Sequence, residues 1–295
     1  MIRRFATGAA VATGLVLSLT GCLGLGGADK AGEAVKLTAA QVLGKAAEKT
    51  GQTATFKATL SMRMNDPQAG QVSADGEMQY RTKPDVAFAL KFSRMTVGGQ
   101  SLGGMEQVLI DRTMYMKMPM LSQMAGQGGA AGRLAAKPWL KISLSELGQK
   151  SGVNIEQFLE QSRQLDPVQN TKMLTASQDV REVGKETVDG VETTHYTGTY
   201  RMSDAVAKLP PETQEAYRKA LADTGMETMA FDLWVDKDQL PRKMTMKSAQ
   251  GGRDMTITTT YRDYGQPVQI AAPPADQVTD FGALLGALPG AATGS

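Results

Sequence analysis

The segment Thr113–Met120, TMYMKMPM, places a methionine at every second position. Alternate residues of an extended strand share a face, so Met114, Met116, Met118 and Met120 would form a row of thioethers. Three roles suit such a row: ordinary core packing, a soft-metal site, or a deformable wall for an apolar ligand. Thioethers suit Cu(I), but the usual co-ligands are scarce, since the chain has one histidine, His195, and one cysteine, Cys22. Same-face neighbours on a strand also lie roughly 7 Å apart, too far to share an ion without help from another strand. Methionine fills irregular gaps, whereas a well-specified core favours Leu, Ile, Val and Phe. Met62, Met64, Met78, Met114, Met116, Met118, Met244, Met246 and Met255 all share the apolar parity of predicted strands. That repetition favours the adaptable wall, with some methionines packed plainly under helices. No metal site and no cofactor is predicted.

Other chemistry-bearing patterns fail on context. Gly99-Gln100-Ser101-Leu102-Gly103 matches a nucleophile elbow, but an elbow needs a strand running directly into a helix. Here the motif falls between two predicted antiparallel strands and reads as a glycine-permitted loop. His195 lies on the polar parity of its strand with Thr193 and Thr197, which predicts a solvated side chain. Asp236 and Asp238 precede Pro241 and read as turn residues rather than, with Asp232, a calcium set. No enzyme is predicted.

The most specific chemistry lies at Cys22. Arg3 and Arg4 precede a short apolar run that ends in Leu19-Thr20-Gly21-Cys22. A charged start, an apolar stretch too short to span a membrane and small residues at its end make a secretory signal. The small pair directly before the lone cysteine has the form of a bacterial lipobox, in which diacylglycerol is attached to the sulfur and the chain is cut before it. Residues 1–21 are therefore expected to be a lipoprotein signal peptide and 22–36 a lipidated, flexible Gly/Ala-rich tether. Acyl chains on Cys22 would anchor the protein to the outer face of the plasma membrane, each buried methylene contributing roughly 0.8 kcal/mol. Without Arg3 and Arg4 the basic and acidic counts are equal at 30 each. Such a balance excludes a nucleic-acid partner, which would want a basic excess.

The elements that must position these residues follow from periodicity. Thr38 and Gln41 form a capping box ahead of a helix with Val42, Leu43, Ala46 and Ala47 on one stripe. Period-two alternation then takes over: Phe56, Ala58, Leu60, Met62 and Met64, then Met78 and Tyr80, then Phe88, Leu90 and Phe92. Similar strands follow near 105–117 and 138–144, and again from Asp179 to Met202 and from Met226 to Tyr264. Residues 122–137 read as a Gly/Ala/Gln-rich loop, and helices are predicted from Asn154, from Pro167 and around Ser203–Gly225. The fold class is α+β, a strongly curved antiparallel half-barrel of about eleven strands with helices over its open concave side. One domain is assigned to 37–281 and a tail to 282–295.

The order tether, helix, strands, helices, strands, with GKETVDGVETTHYTGTY, FDLWVDKDQLPRKMTM and TTYRDYGQPVQIAAPP, resembles the LppX/LprG group of actinobacterial lipoproteins. That group is similar in architecture to the LolA and LolB lipoprotein carriers. The resemblance implies an apolar cavity for acylated lipid or glycolipid, with Cys22 as the lipidated residue. Strand parity assigns the cavity lining to Leu60, Met62, Met64, Met78, Phe88, Leu90, Phe92, Met114, Met116, Met118, Phe231, Leu233, Met244 and Met246. The expected protein is a membrane-anchored carrier or chaperone of lipid. Its rival is a ligand-free structural or signalling lipoprotein that docks an envelope protein partner, which an apolar patch on the outer strand face, or co-purification with a partner but no lipid, would favour.

Overall fold

The computed structural model describes residues 37–67, 70–117, 137–144, 167–211, 214–215, 217–218, 227–250 and 253–286. Cys22, the tether, Met118, Met120 and the helix predicted from Asn154 lie outside the described residues. So does nearly all of the 122–137 loop.

The first helix, α1 (Ala39–Gln52), starts where the capping box places it. The Gln41 amide donates to Thr38 Oγ1 at 3.3 Å, and the Thr38 amide donates to Gln41 Oε1 at 2.8 Å. Its stripe of Val42, Leu43, Ala46 and Ala47 is buried. Three long strands follow, β1 (Thr55–Asp66), β2 (Gly70–Arg81) and β3 (Ala87–Val97), and then the two-residue β4 (Gln100–Ser101). Next come β5 (Met105–Ile110), β6 (Thr113–Lys117) and β7 (Trp139–Ser143). Helix α2 spans Pro167–Leu174. The second half holds β8 (Arg181–Val188), β9 (Val191–Arg201), the short α3 (Met202–Val206), β10 (Thr228–Asp236), β11 (Pro241–Gln250) and β12 (Arg253–Arg262). A single 3₁₀ turn leads into β13 (Val278–Asp280) and α4 (Phe281–Gly286).

All 13 strands form one sheet in the order β13-β7-β6-β5-β3-β2-β1-β12-β11-β10-β9-β8, with β4 paired to β3. The chain thus wraps outward from a centre at β1, which pairs with β2 on one side and β12 on the other. The sheet is unclosed, with β8 and β13 at its two ends. Two strands exceed the eleven expected: β4 and β13 have two and three residues, too short for alternation to reveal. The GQSLG segment is the β3–β4 turn and the strand after it, entered through Gly98 and Gly99 at positive φ, and no helix follows it.

Register lines up apolar residues on one face of the central strands. Met62 pairs with Ala74 on β2 and with Ile257 on β12; Ile257 pairs with Met246, and Met246 with Phe231. One residue pair further along, Leu60, Thr259, Met244 and Leu233 form the parallel row. The principal core joins this face to α1, α2 and α3, so the helices cover the concave side. Aromatic rings brace its centre, with Phe56 stacked on Tyr80 at 5.1 Å and Tyr80 near Phe88 at 6.4 Å between centroids.

The opposite face carries a second, smaller core. After β12 the chain crosses this outer face, tied down by the Gly265 amide to Thr55 O at 2.9 Å and the Gln269 amide to Gln79 Oε1 at 2.9 Å. Ile270 then buries against Ala87, Val108 and Trp139, and β13 adds in parallel beside β7. This strap covers apolar surface that would otherwise face water. Sequence periodicity shows no sign of it.

Candidate functional site

The concave face is packed around Phe56, Tyr80 and Phe88 and hollow at the opposite ends of the same strands. There an apolar cavity of about 330 Å³ opens between sheet and helices. β1 contributes Leu60 and Met62, β2 Met78 and β3 Phe92; β11 contributes Met244 and Met246, and β12 Met255, Ile257, Thr259 and Tyr261. Met229 at the start of β10 and Met202 at the start of α3 complete the sheet side, while Met173 and Asn170 of α2 and Tyr217 close it from above. From β3 to β10 is five strand spacings, roughly 24 Å in a flat sheet at about 4.8 Å each. Residues that far apart wall one small hollow only because the sheet bends.

Among the described lining residues eight are methionine, and none is acidic, basic or histidine. Its polar groups are those of Ser61, Asn170, Thr259 and the phenols of Tyr217 and Tyr261. Behind the wall, burial pushes the Tyr200 phenol far above the ordinary tyrosine range, with Tyr217 adding to the shift. Tyr200 therefore stays a neutral hydroxyl.

The structure sorts the predicted lining residues into three groups. Leu60, Met62, Met78, Phe92, Met244 and Met246 come together around the cavity. Phe88, Leu90, Met114, Phe231 and Leu233 are almost wholly buried, and Met116 is half-buried against the same core, so these pack the sheet under the helices without reaching the hollow. Met64 sits at the far end of β1 beside Arg63, Asn65 and Gln71 in a polar depression. The TMYMKMPM row that first suggested a thioether wall thus packs as core in its described part. The thioethers of the hollow come from other strands and from helices. Met173, Met202 and Tyr217 had no signal in strand alternation, because a helix or a chain reversal delivers them. Met229 shares its parity with Phe231 and Leu233 and was legible in principle.

A larger groove of about 570 Å³ lies on the outer face, but Lys57, Glu77, Lys91, Glu106 and Arg262 line it. It is a charged furrow beside the strap residues Pro267 and Gln269, unsuited to an apolar guest.

The expectation of a solvated His195 is corrected. Its side chain is 12% exposed, with Nδ1 2.9 Å from Glu186 Oε1 and Nε2 3.0 Å from Asp232 Oδ1. The ring stacks on Trp234 at 4.3 Å, the indole N–H donates to Glu186 Oε2 at 2.8 Å, and Lys243 Nζ lies 4.4 Å from the indole centroid. Polar parity correctly put His195 on the outer face. Register then set Trp234 directly beside it and Lys243 beyond, and those large side chains cover the ring. The cluster ties β8, β9, β10 and β11 together. Asp236, in contrast, is the turn residue it was expected to be: its carboxylate accepts from the Asp238 and Leu240 amides at 2.9 Å and from Arg242 Nε at 2.6 Å. Among the described residues no group of three or more His, Cys, Asp or Glu is placed to hold a metal.

The described residues thus form one open, bent sheet with an apolar hollow on its helix-covered side. Residues 149–270 match the LppX_LprAFG lipoprotein family. An uncharacterized 31.2 kDa protein of Streptomyces griseus is 36% identical over 174 residues, 57% of each chain. A putative lipoprotein of Streptomyces coelicolor is 33% identical over 156 residues, 52% of this chain and 46% of that one. The chain thus spans about half the length of the curated relatives it matches. Among solved structures, LprF of Mycobacterium bovis gives a TM-score of 0.48 at 15% identity, covering 80% of this chain and 97% of that one. LppX of Mycobacterium tuberculosis gives 0.45 at 17%, covering 79% and 98%. No helix among the described residues is long and apolar enough to cross a membrane.

Proposed function

We propose that this protein is an extracytoplasmic lipoprotein, anchored through Cys22, that holds the acyl portion of a lipid or glycolipid in the concave hollow as a carrier or chaperone. The observation that carries this reading is the cavity wall, which among the described residues holds eight thioethers and no charged side chain around about 330 Å³. Burial of apolar ligand surface at about 25 cal/mol per Å² drives binding without directed polar contacts. Unbranched, polarizable side chains let one wall fit chains of different shape. The family match to residues 149–270 supports the lipoprotein part of the reading. Against the rival docking role, the large hydrophobic side chains exposed among the described residues are Leu102, just after β4, and Val183 on β8, which are well separated in the strand order. The outer-face apolar surface that does exist is covered by the chain's own strap.

The decisive experiment is mass spectrometry of organic extracts from protein purified from its native host. A stoichiometric acylated lipid is expected. Extracts with no lipid, from protein that co-purifies with an envelope protein, would overturn the reading in favour of docking.

A further inference from the structure

The composition of the hollow restricts what can lie in it beyond its being a lipid. This inference rests on the lipid-binding reading and narrows it. Along β1 the lining residues Leu60 and Met62 alternate with Lys57 and Arg63, whose charges are paired with Asp263 and Asp75. Charge is plentiful on the sheet, and the pleat sends it to the other face. Among the described residues, a carboxylate or phosphate drawn into the hollow would meet no cation, only thioethers, aliphatic and aromatic groups, hydroxyls and the Asn170 amide. An unpaired buried ion is strongly disfavoured, whereas a neutral ester or hydroxyl can be satisfied by such groups. Size adds a second restriction, because about 330 Å³ lies at the floor of the roughly 300–1,000 Å³ typical of small-molecule cavities. The wall leaves room for one slender guest.

We infer that the hollow takes a single hydrocarbon chain, inserted tail-first, with any charged headgroup left outside. A free fatty acid and a monoacyl lipid share this chemistry, and ligand competition distinguishes them from a two-chain lipid. Delipidated full-length protein is titrated with cis-parinaric acid and separately with its methyl ester, followed by probe fluorescence. Both are expected to saturate at one chain per protein, with affinities equal within about threefold, because the charged end contributes nothing inside. A two-chain diacylglycerol is expected to displace the probe at least about tenfold less well than a monoacylglycerol of the same chain length. Filling the hollow by Ile257→Phe is expected to weaken both probes together by at least about tenfold. Met62→Phe gives an independent version of the same test should the first variant fail to fold, judged by its thermal transition. Diacylglycerol displacing the probe as well as or better than monoacylglycerol would overturn the single-chain inference and leave lipid binding intact. An acid bound at least tenfold more tightly than its ester would overturn the exclusion of charge. No binding of either probe, with lipid-free native extracts, would instead remove the lipid reading itself.

Discussion

Single carboxylates stabilise this molecule in an acid-sensitive way. The Arg63 guanidinium grips Asp75 in a two-pronged contact at 2.8 and 3.0 Å and holds its carboxyl below the ordinary 3.8. The Thr199 amide, at 2.7 Å, lowers Asp179 in the same way, and the Trp234 indole lowers Glu186 below 4.5. Burial alone would raise Asp232, but hydrogen bonds from His195 and Lys247 outweigh it and the net shift is downward. A depressed folded-state value means that the stabilisation is complete above the unfolded value and lost as pH falls through the folded one. Urea unfolding measured between about pH 6 and pH 3 is therefore expected to show stability declining once pH drops below these ordinary values. Asp179→Asn is expected to flatten part of that decline, and a wild-type curve level through the range would refute the assignment. His195 enters the same account as the residue facing both Glu186 and Asp232. Asp236 at the β10–β11 turn is a buried anchor, so Asp236→Ala is expected to cost about 2 kcal/mol or more in urea unfolding.

The connection after α2 lies close over the sheet at Gly198. A Cβ there would stand 2.7 Å from Ser177 Oγ and 3.0 Å from the Phe231 ring. Ser177 follows α2, and its hydroxyl donates to Asp179, which in turn accepts from Thr199 on β9. The glycine thus sets how closely the α2–β8 connection lies over the sheet, and so the height of the roof formed by Met173 and Asn170. Gly198→Ala is expected to lower stability by about 1–3 kcal/mol, as overpacking does, and to alter probe affinity as the roof shifts. A variant with unchanged unfolding midpoint and unchanged affinity would show that the contact sets neither. Gly76 has a related position opposite Leu60, where a Cβ would collide with Lys91 O at 2.8 Å and the Phe92 ring at 2.9 Å.

The whole molecule uses the two faces of one sheet for different ends. Helices and hollow occupy the concave side, and the C-terminal strap occupies the outer side. Truncating the strap's anchor, Ile270→Ala, is expected to cost about 2 kcal/mol in chemical denaturation. Because the sheet separates it from the cavity, the same variant is expected to retain its lipid. A parallel loss of lipid would mean that the strap shapes the hollow from behind. Membrane attachment separates from both. Cys22→Ala is expected to leave the fold and the ligand content unchanged while moving the protein from the detergent to the aqueous phase of a partition assay. Unchanged partition would remove the lipid anchor from the proposal.

What could be read from residue order alone was whatever depends on local periodicity. Thr38 and Gln41 announced α1, and the alternation through Phe56, Leu60 and Met62 showed which side of β1 is apolar. Parity distinguishes inside from outside, but it does not distinguish packed from hollow. Leu60 and Leu233 have the same parity in the same row of the sheet, yet one borders the cavity and the other is wholly buried. That difference depends on how far the sheet bends and where α2 and α3 rest upon it. Both are sums of contacts between segments far apart in the chain. For the same reason Met173 and Met202 joined the cavity without notice, and His195 lost its water to Trp234 and Lys243. Side-chain direction is a local property of the backbone, whereas empty space exists only between elements that tertiary packing has already brought together.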